Sequence, residues 1–173
     1  MSKPIKEKDL YVYCPHCASN LVPQAIDNEK VKKCSNCGFI FWNNPKPVVS
    51  ILLHKDGEIL MLKRADEPFK NYWVLPGGFI YYRETAQNAI KRETKEETGL
   101  EIAVQGITGV YLIDDDPRGM HVDIIFYGTS KGKIRLSKEH KNWKYFIPDQ
   151  LPEHIAYKHR YAINDWHKRE NRA

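Results

Sequence analysis

The sequence predicts an α/β fold preceded by a small module that carries cysteines. Three observations lead to this prediction. All four cysteines lie before residue 46. A turn-forming stretch, Asn43–Pro47, follows them and does not suit a helix interior or a central strand. Beyond it, strand-like and helix-like patterns alternate. We therefore divide the 173 residues into a first domain, 1–46, and a second, 47–173.

The composition excludes several classes of protein. Apolar residues make up 42% of the chain, which is enough for a packed core and argues against disorder. The net charge of +5 allows attraction to phosphates but does not by itself indicate a nucleic-acid binder. The longest apolar run, Val48–Leu53, is too short to span a membrane. The first ten residues lack the apolar segment of a secretory signal, so we expect a cytoplasmic protein with no membrane partner.

The second domain opens with a predicted β-hairpin and continues with a helix. Val48–His54 indicates a buried strand, and Ile59–Arg64 indicates the returning strand. A helix is predicted over Ala86–Thr98, because Thr85 suits its N-cap and Gly99 lies just past its end. Further strands are predicted over Ile102–Ile113, Met120–Thr129 and Trp143–Ile147, and a closing helix over Ala156–Lys168.

Several side chains have predicted environments. The acidic turn Asp114–Asp116 is expected to be solvated, and His159 and His167 are expected to be exposed on the closing helix. The same helix is expected to turn three side chains inwards, namely Tyr161, Ala162 and Trp166.

The cysteines form two pairs with the spacing of zinc ligands. Cys14-x-x-Cys17 is followed, after sixteen residues, by Cys34-x-x-Cys37. Four thiolates at this spacing suit tetrahedral Zn²⁺, with two ligands from each tight turn. Disulfides would need an oxidising compartment, and a redox CxxC would not explain a second pair. We predict a structural zinc site.

The cysteine module is only weakly basic. Residues 1–46 hold seven lysines and four acidic residues, a formal charge of +3. A zinc ion held by four thiolates contributes a formal −2, which leaves about +1. This balance favours a packing or substrate-platform role over nucleic-acid binding.

Carboxylates take over one face of the helix at 86–98. The apolar stripe that begins at Ala86 reaches Glu93 and Glu97 at 3.6 residues per turn, with Glu96 at its edge. Like charges at these spacings repel, and the C-terminal end of a helix disfavours them. A bound divalent cation offsets both penalties, and Mg²⁺ prefers such oxygen ligands. The alternative is a solvated face, neutralised by the nearby Lys and Arg residues.

This segment resembles the Nudix box, G-x5-E-x7-R-E-U-x-E-E-x-G-U, in which U is a bulky aliphatic residue. Thr94 stands at the first U and departs from the pattern, whereas Leu100 fits the second. The stretches Leu62–Arg64 and Trp73–Gly78 resemble the flanks of the box. The cysteine module ending in Asn44–Pro47 is similar to that of a subgroup with an N-terminal zinc ribbon. The fixed positions are all filled, by Gly78, Glu84, Arg92, Glu93, Glu96, Glu97 and Gly99.

The resemblance implies a Nudix α/β/α sandwich with a mixed sheet, and an enzyme that hydrolyses a nucleoside diphosphate derivative. It implies that Mg²⁺, or Mn²⁺, binds to Glu93, Glu96 and Glu97, with the carbonyl of Gly77 as a further ligand. Arg92 would hold the carboxylates and Glu84 would support the preceding loop. The base is left open between Glu93 and Glu139. The residues expected on the substrate side are Arg64, Gly77 and Gly78.

The zinc-ribbon subgroup implies ADP-ribose or a related dinucleotide, such as FAD or NADH, as substrate. The further signature of NADH-specialised members is missing after the box. A nucleoside triphosphate pyrophosphohydrolase is the alternative enzyme. A non-catalytic nucleotide sensor or RNA-binding module is the alternative class, although such modules are free to lose box glutamates and none is lost here. The resemblance also allows a homodimer.

Overall fold

A computed structural model describes residues 11–171. The chain divides after Asn44 into two compact units, Met1–Asn44 and Pro45–Ala173. The boundary predicted from the sequence lies two residues further along, and it stays a prediction because compactness alone does not test it. No helix among residues 11–171 is long and apolar enough to cross a membrane.

The first unit is a small antiparallel sheet with a core of cysteine and apolar side chains. Strands β1 (Leu21–Ile26), β2 (Glu29–Cys34) and β3 (Ile40–Phe41) pair in that order. Leu21 packs against the buried Cys14 and Cys34. The cysteines therefore form the centre of this unit.

The second unit is a mixed seven-stranded sheet between two helices. Its core strands run in the order β10-β5-β4-β9-β8, with β6 paired to β5 and β7 paired to β4. The pair β4–β9 is parallel, and the other pairs are antiparallel. The bounds are β4 Lys46–Lys55, β5 Glu58–Arg64, β6 Trp73–Val74, β7 Gly77–Phe79, α1 Ala86–Thr98, β8 Glu101–Ile113, β9 His121–Lys131, β10 His140–Phe146 and α2 His159–Glu170.

The central strand β4 contributes to a core on each face of the sheet, because successive side chains point to opposite sides. Val49 and Ile51 pack in one cluster with Ala89 and Ile90 of α1. Leu52 packs in a second cluster, whose α2 members are Ala162, Ile163 and Trp166. The predicted α/β/α sandwich with a mixed sheet is confirmed.

The first helix follows its predicted bounds. Thr85 is the N-cap, and its side chain accepts a hydrogen bond from the backbone N–H of Asn88 at 3.2 Å. Gly99 is the C-cap and has a φ of 72°, a left-handed conformation that glycine adopts at low cost.

The closing helix differs from the prediction at both of its ends and in one inward side chain. It begins at His159 rather than at Ala156. Ala162 and Trp166 are buried as predicted, but Tyr161 is 63% exposed. The buried residues of the helix are His159, Ala162, Ile163 and Trp166, and at 3.6 residues per turn Tyr161 lies on the opposite side.

Candidate functional site

A cavity of about 290 Å³ opens in the second unit and collects most of the side chains predicted to be functional. Its lining includes residues of α1, of the loop before α1 and of the segment before β10. The predicted site residues among them are Arg64, Gly77, Gly78, Glu93, Glu96, Glu97 and Glu139. The structure therefore brings together carboxylates that lie more than forty residues apart in the chain.

Glu97 is the most deeply buried carboxylate of the cavity, with 6% of the residue exposed. Its Oε2 accepts a hydrogen bond from the backbone N–H of Gly77 at 2.9 Å. Its Oε1 lies 3.8 Å from Nε2 of the buried His140. Glu97 is thus hydrogen-bonded to the glycine loop and lies close to the first residue of β10.

Arg92 binds the acidic residues around it rather than facing the cavity. Its Nε and Nη2 donate to the two carboxylate oxygens of Glu84, both at 2.9 Å. Its Nη1 donates to Glu93 at 2.8 Å and to Glu96 at 3.1 Å. Its guanidinium also lies 3.8 Å from the centre of the Tyr81 ring. A planar fork with five donors suits this bridging geometry.

Burial and mutual repulsion shift the pKa values of the carboxylates in the cavity. Burial raises the pKa of Glu97 well above its usual value, and the nearby charges of Glu93 and Glu139 raise it further. Burial also raises the pKa of Glu93, although its bond to Arg92 opposes that effect. In contrast, the hydrogen bonds from Arg92 lower the pKa of Glu84. A cation near Glu93 and Glu97 would relieve both penalties.

The donor set fits a hard divalent cation with an open coordination sphere. Among the described residues, the only group of three or more ligand side chains with atoms all within 4.8 Å of one another is the cysteine group. The carboxylate oxygens of Glu93, Glu96 and Glu97 are spread more widely than this, and Arg92 holds one oxygen each of Glu93 and Glu96. Mg²⁺ usually takes one or two carboxylates and keeps several waters, so it does not need a closed cage of protein ligands.

Gly77 and Gly78 of β7 have to be glycines because neighbouring atoms approach them closely. A Cβ on Gly77 would lie 2.1 Å from the carbonyl oxygen of Val49, and Gly77 has a φ of 156°. A Cβ on Gly78 would lie 2.5 Å from the carboxylate carbon of Glu93. The glycine loop can therefore lie directly against the acidic helix.

Arg64 lies at the end of β5 and lines the cavity, as the sequence predicts. Its Nε donates to the carbonyl oxygen of Pro68 at 2.7 Å, and its guanidinium lies 5.5 Å from the Tyr157 ring centre. These contacts orient the positively charged guanidinium of Arg64 towards the space that the glutamates line.

The predicted environments of two residues that line the cavity, His159 and Asp116, are wrong. His159 was expected to be exposed but is 2% exposed; it bonds to Ser50 (3.2 Å), to Asp123 (3.3 Å) and to the Leu75 N–H (2.9 Å). Asp116 was expected to be solvated but is 7% exposed and binds Arg118. One signal was available, because Asp123 interrupts the apolar run of β9 and a charge there needs partners.

The four cysteines form a second candidate site, in the first unit. Their Sγ atoms all lie within 4.8 Å of one another, and no disulfide joins them. The pairs Cys14–Cys37 and Cys17–Cys34 are each 3.5 Å apart. Four thiolates around zinc at about 2.3 Å would be separated by about 3.8 Å, so the arrangement fits that ion.

The backbone supports this cluster at both pairs. The N–H of His16 points to Cys14 Sγ at 3.4 Å, and the N–H of Cys37 points to Cys34 Sγ at 3.5 Å. Amides that point at sulfur stabilise the thiolate form that a metal requires.

Comparisons with known proteins identify the family. The NUDIX domain family matches residues 44–166. An "ADP-ribose pyrophosphatase" of Methanocaldococcus jannaschii is 34% identical over 156 residues, which cover 89% of this chain and 92% of the relative. A "Putative 8-oxo-dGTP diphosphatase" of Bacillus subtilis is 32% identical over 118 residues, which cover 67% of this chain and 75% of the relative.

A solved structure, of a NUDIX hydrolase from Nitrosomonas europaea, has the same fold. It superposes with a TM-score of 0.78 at 22% identity and covers 93% of both chains. The chain belongs to the NUDIX family and is a Nudix hydrolase.

Proposed function

We propose that the protein hydrolyses the diphosphate linkage of a nucleoside diphosphate derivative, with ADP-ribose as the leading substrate and Mg²⁺ or Mn²⁺ as cofactor. The observation that carries this proposal is the buried Glu97, which shares one cavity with Glu93, Glu96 and Glu139. Such a cavity suits a divalent metal ion bound to the diphosphate of a nucleotide. The name of the 34% identical relative supports ADP-ribose as the substrate.

The metal would be held by Glu93, Glu96 and Glu97, with the Gly77 carbonyl as a further ligand. When bound, a divalent cation neutralises the diphosphate and lowers the pKa of the attacking water. Arg92 keeps Glu93 and Glu96 in place through its hydrogen bonds. The Gly77 N–H orients Glu97 through its hydrogen bond, so the inner carboxylate needs little rearrangement when the metal binds.

Glu139 is the better candidate for the base. Glu93 already has one carboxylate oxygen engaged by Arg92 and is proposed above as a metal ligand, which leaves it less free to take a proton from water. Within residues 11–171, the Glu139 carboxylate has no hydrogen-bond partner, and it lines the same cavity. It is therefore free to accept a proton from water. Glu139→Gln would reduce kcat by about 10²–10⁴-fold and leave metal binding intact.

The substrate side of the cavity includes Arg64, Gly77 and Gly78. Arg64 supplies a fixed positive charge beside the carboxylates, which suits a phosphate oxygen. The glycines let a diphosphate approach the backbone closely, because no side chain stands between it and α1.

Hydrolysis of ADP-ribose, with and without Mg²⁺, tests this function. The products expose phosphomonoesters, so alkaline phosphatase then releases phosphate. Wild-type protein with Mg²⁺ should release phosphate, whereas Glu97→Gln should lose nearly all turnover and keep its circular dichroism. Turnover by Glu97→Gln at the wild-type rate would refute the metal assignment.

A panel of nucleotides separates the alternatives. Preference for nucleoside triphosphates would favour the function printed for the Bacillus subtilis relative. Binding without turnover of any nucleotide would favour a sensor. FAD and NADH belong to the panel, and retention of RNA at moderate salt tests the binding module.

The cysteine cluster is proposed to hold one structural zinc ion through Cys14, Cys17, Cys34 and Cys37. The sulfur–sulfur distances and the amides directed at sulfur support this assignment. A cytoplasmic location and a homodimer stay predictions.

A further inference from the structure

The lining of the cavity includes residues from both faces of the sheet. In the pairing of β7 with β4, Gly78 lies opposite Val49 and Phe79 lies opposite Val48. Successive strand residues point to opposite faces, so Gly78 meets Glu93 while Phe79 faces the other side. Both Glu93 and Phe79 line the cavity. A molecule with its diphosphate at the glutamates would therefore place a flanking group beside Phe79.

Arg118 is held rigidly beside Phe79. Its Nε donates to both carboxylate oxygens of Asp116, at 3.0 and 3.1 Å, and its Nη2 donates to Asp116 at 2.7 Å. Nη2 also donates to the Tyr157 hydroxyl at 3.2 Å, and the guanidinium lies 5.5 Å from the Phe79 ring centre. Nη1 has no hydrogen-bond partner within the described part of the chain. It offers two fixed donors to a ligand.

Asp116 keeps its charge although it is buried. Its side chain is 1% exposed. Burial would raise its pKa, but the hydrogen bonds from the Arg118 side chain and backbone outweigh burial and leave the pKa lowered. Only the carboxylate of this ion pair is buried, since the Arg118 side chain is 45% exposed, but the several hydrogen bonds orient the guanidinium and balance its charge.

The wall behind Arg118 contains polar atoms that lack partners. Both ring nitrogens of His121 and Oδ1 of Asp123 are buried and have no hydrogen-bond partner among residues 11–171. Burial lowers the pKa of His121, so its ring is neutral at pH 7. The wall thus combines aromatic rings, unpaired hydrogen-bonding groups and no excess positive charge. These properties suit an uncharged heterocycle better than a second phosphate group.

We propose that Arg118, oriented by Asp116, determines specificity by donating hydrogen bonds to the nucleoside part of the substrate beside Phe79. This rests on the proposed function, which places the diphosphate at the glutamates. Arg118 is then a binding residue and Asp116 a positioning residue. The sequence did not single out Arg118, because it lies in a turn that was expected to be solvated.

Three probes identify the group that Arg118 touches: AMP, ribose 5-phosphate and inorganic pyrophosphate, each titrated calorimetrically with Mg²⁺ present. Arg118→Met should weaken AMP binding by about tenfold and change the Kd of the other two less than twofold. Arg118→Lys keeps the charge but loses the fork, so it should also weaken AMP binding. Arg83→Met is the matched control, since Arg83 is exposed and does not line the cavity.

The role of Asp116 is tested by a double-mutant cycle. Asp116→Asn alone should weaken AMP binding, but it should add nothing in a background that already carries Arg118→Met. A merely structural role would weaken binding equally in both backgrounds. With ADP-ribose, Arg118→Met should raise KM about tenfold and change kcat less than threefold.

Two results would overturn the inference. Unchanged AMP binding by a folded Arg118→Met protein would show that Arg118 does not contact the nucleoside. Equal weakening of AMP and pyrophosphate would make Arg118 a phosphate ligand. Neither readout requires turnover, so loss of the proposed hydrolysis with Arg118-dependent AMP binding retained would refute the function alone.

Discussion

At the scale of single residues, burial in the cavity disfavours the charged form of the Glu97 carboxylate. Burial and the neighbouring Glu93 and Glu139 raise its pKa above the ordinary value of 4.5. The folded state then binds a proton more tightly than the unfolded chain does. The stability that this proton contributes is present at low pH and is lost as the pH rises through the raised pKa.

Glu97→Gln should therefore stabilise the metal-free fold at neutral and higher pH. Glutamine keeps an acceptor for the Gly77 N–H but carries no charge. In EDTA, the variant should melt within about 1 °C of the wild type at pH 4.5 and several degrees above it at pH 8. Differential scanning fluorimetry across this range measures the difference. A variant that melts below the wild type at pH 8 would contradict the assignment of a buried charge.

Gly78→Ala should damage the acidic site without unfolding the protein. The new methyl group would lie 2.5 Å from the carboxylate carbon of Glu93, so the side chain must move. We expect kcat for ADP-ribose to fall at least tenfold, with a melting temperature within about 4 °C of the wild type. Steady-state kinetics and a thermal melt check both parts. A normal kcat would show that the position of Glu93 does not matter.

The sequence indicated which residues carry charge into the cavity, but not which polar residues are buried. The periodicity of α1 brought Glu93 and Glu97 onto the inward face, because a helix fixes neighbours along the chain. The burial of His159 depends on Ser50 and Asp123, which lie on other strands. No local pattern encodes partners that are 109 and 36 residues away.

At the scale of elements, α1 was predictable and the strand ends were not. Its two ends are marked by residues with local effects, a Thr N-cap and a left-handed Gly C-cap. Strand β10 begins at His140, three residues before the predicted Trp143, because its pairing with Arg64 of β5 determines where it starts. Such pairing is a tertiary property, and composition does not report it.

Thr85→Ala should destabilise α1 at its N-terminus. The change removes the acceptor for the Asn88 N–H and leaves an unsatisfied donor in the first turn. We expect a loss of about 1 kcal/mol and a fall of about 2–4 °C in the melting temperature. Thr85→Ser is the matched control, since it keeps the oxygen. Equal melting of the alanine and serine variants would show that the cap is not stabilising.

At the scale of the whole molecule, the two units have separate cores of different kinds. The second unit buries two large apolar clusters, one on each face of its sheet. Among residues 11–44, the first unit has one apolar cluster, in which Leu21 is the buried aliphatic residue beside the buried Cys14 and Cys34. A domain this small rarely folds on apolar burial alone, so a metal is expected to supply most of its stability.

Cys34→Ser should therefore abolish zinc binding and unfold the first unit while the second stays folded. Wild-type protein should contain about one zinc per chain by elemental analysis, and the variant none. Limited proteolysis should cut the variant within residues 11–44 and leave a resistant fragment that starts near Pro45. Cys37→Ser is the comparison variant. Cys37 is exposed whereas Cys34 is 1% exposed, so its replacement should destabilise the first unit less. A wild-type protein that contains no zinc while its cysteines are reduced would refute the metal site. If the variant loses ADP-ribose hydrolysis together with its zinc, the second unit depends on the first for its activity.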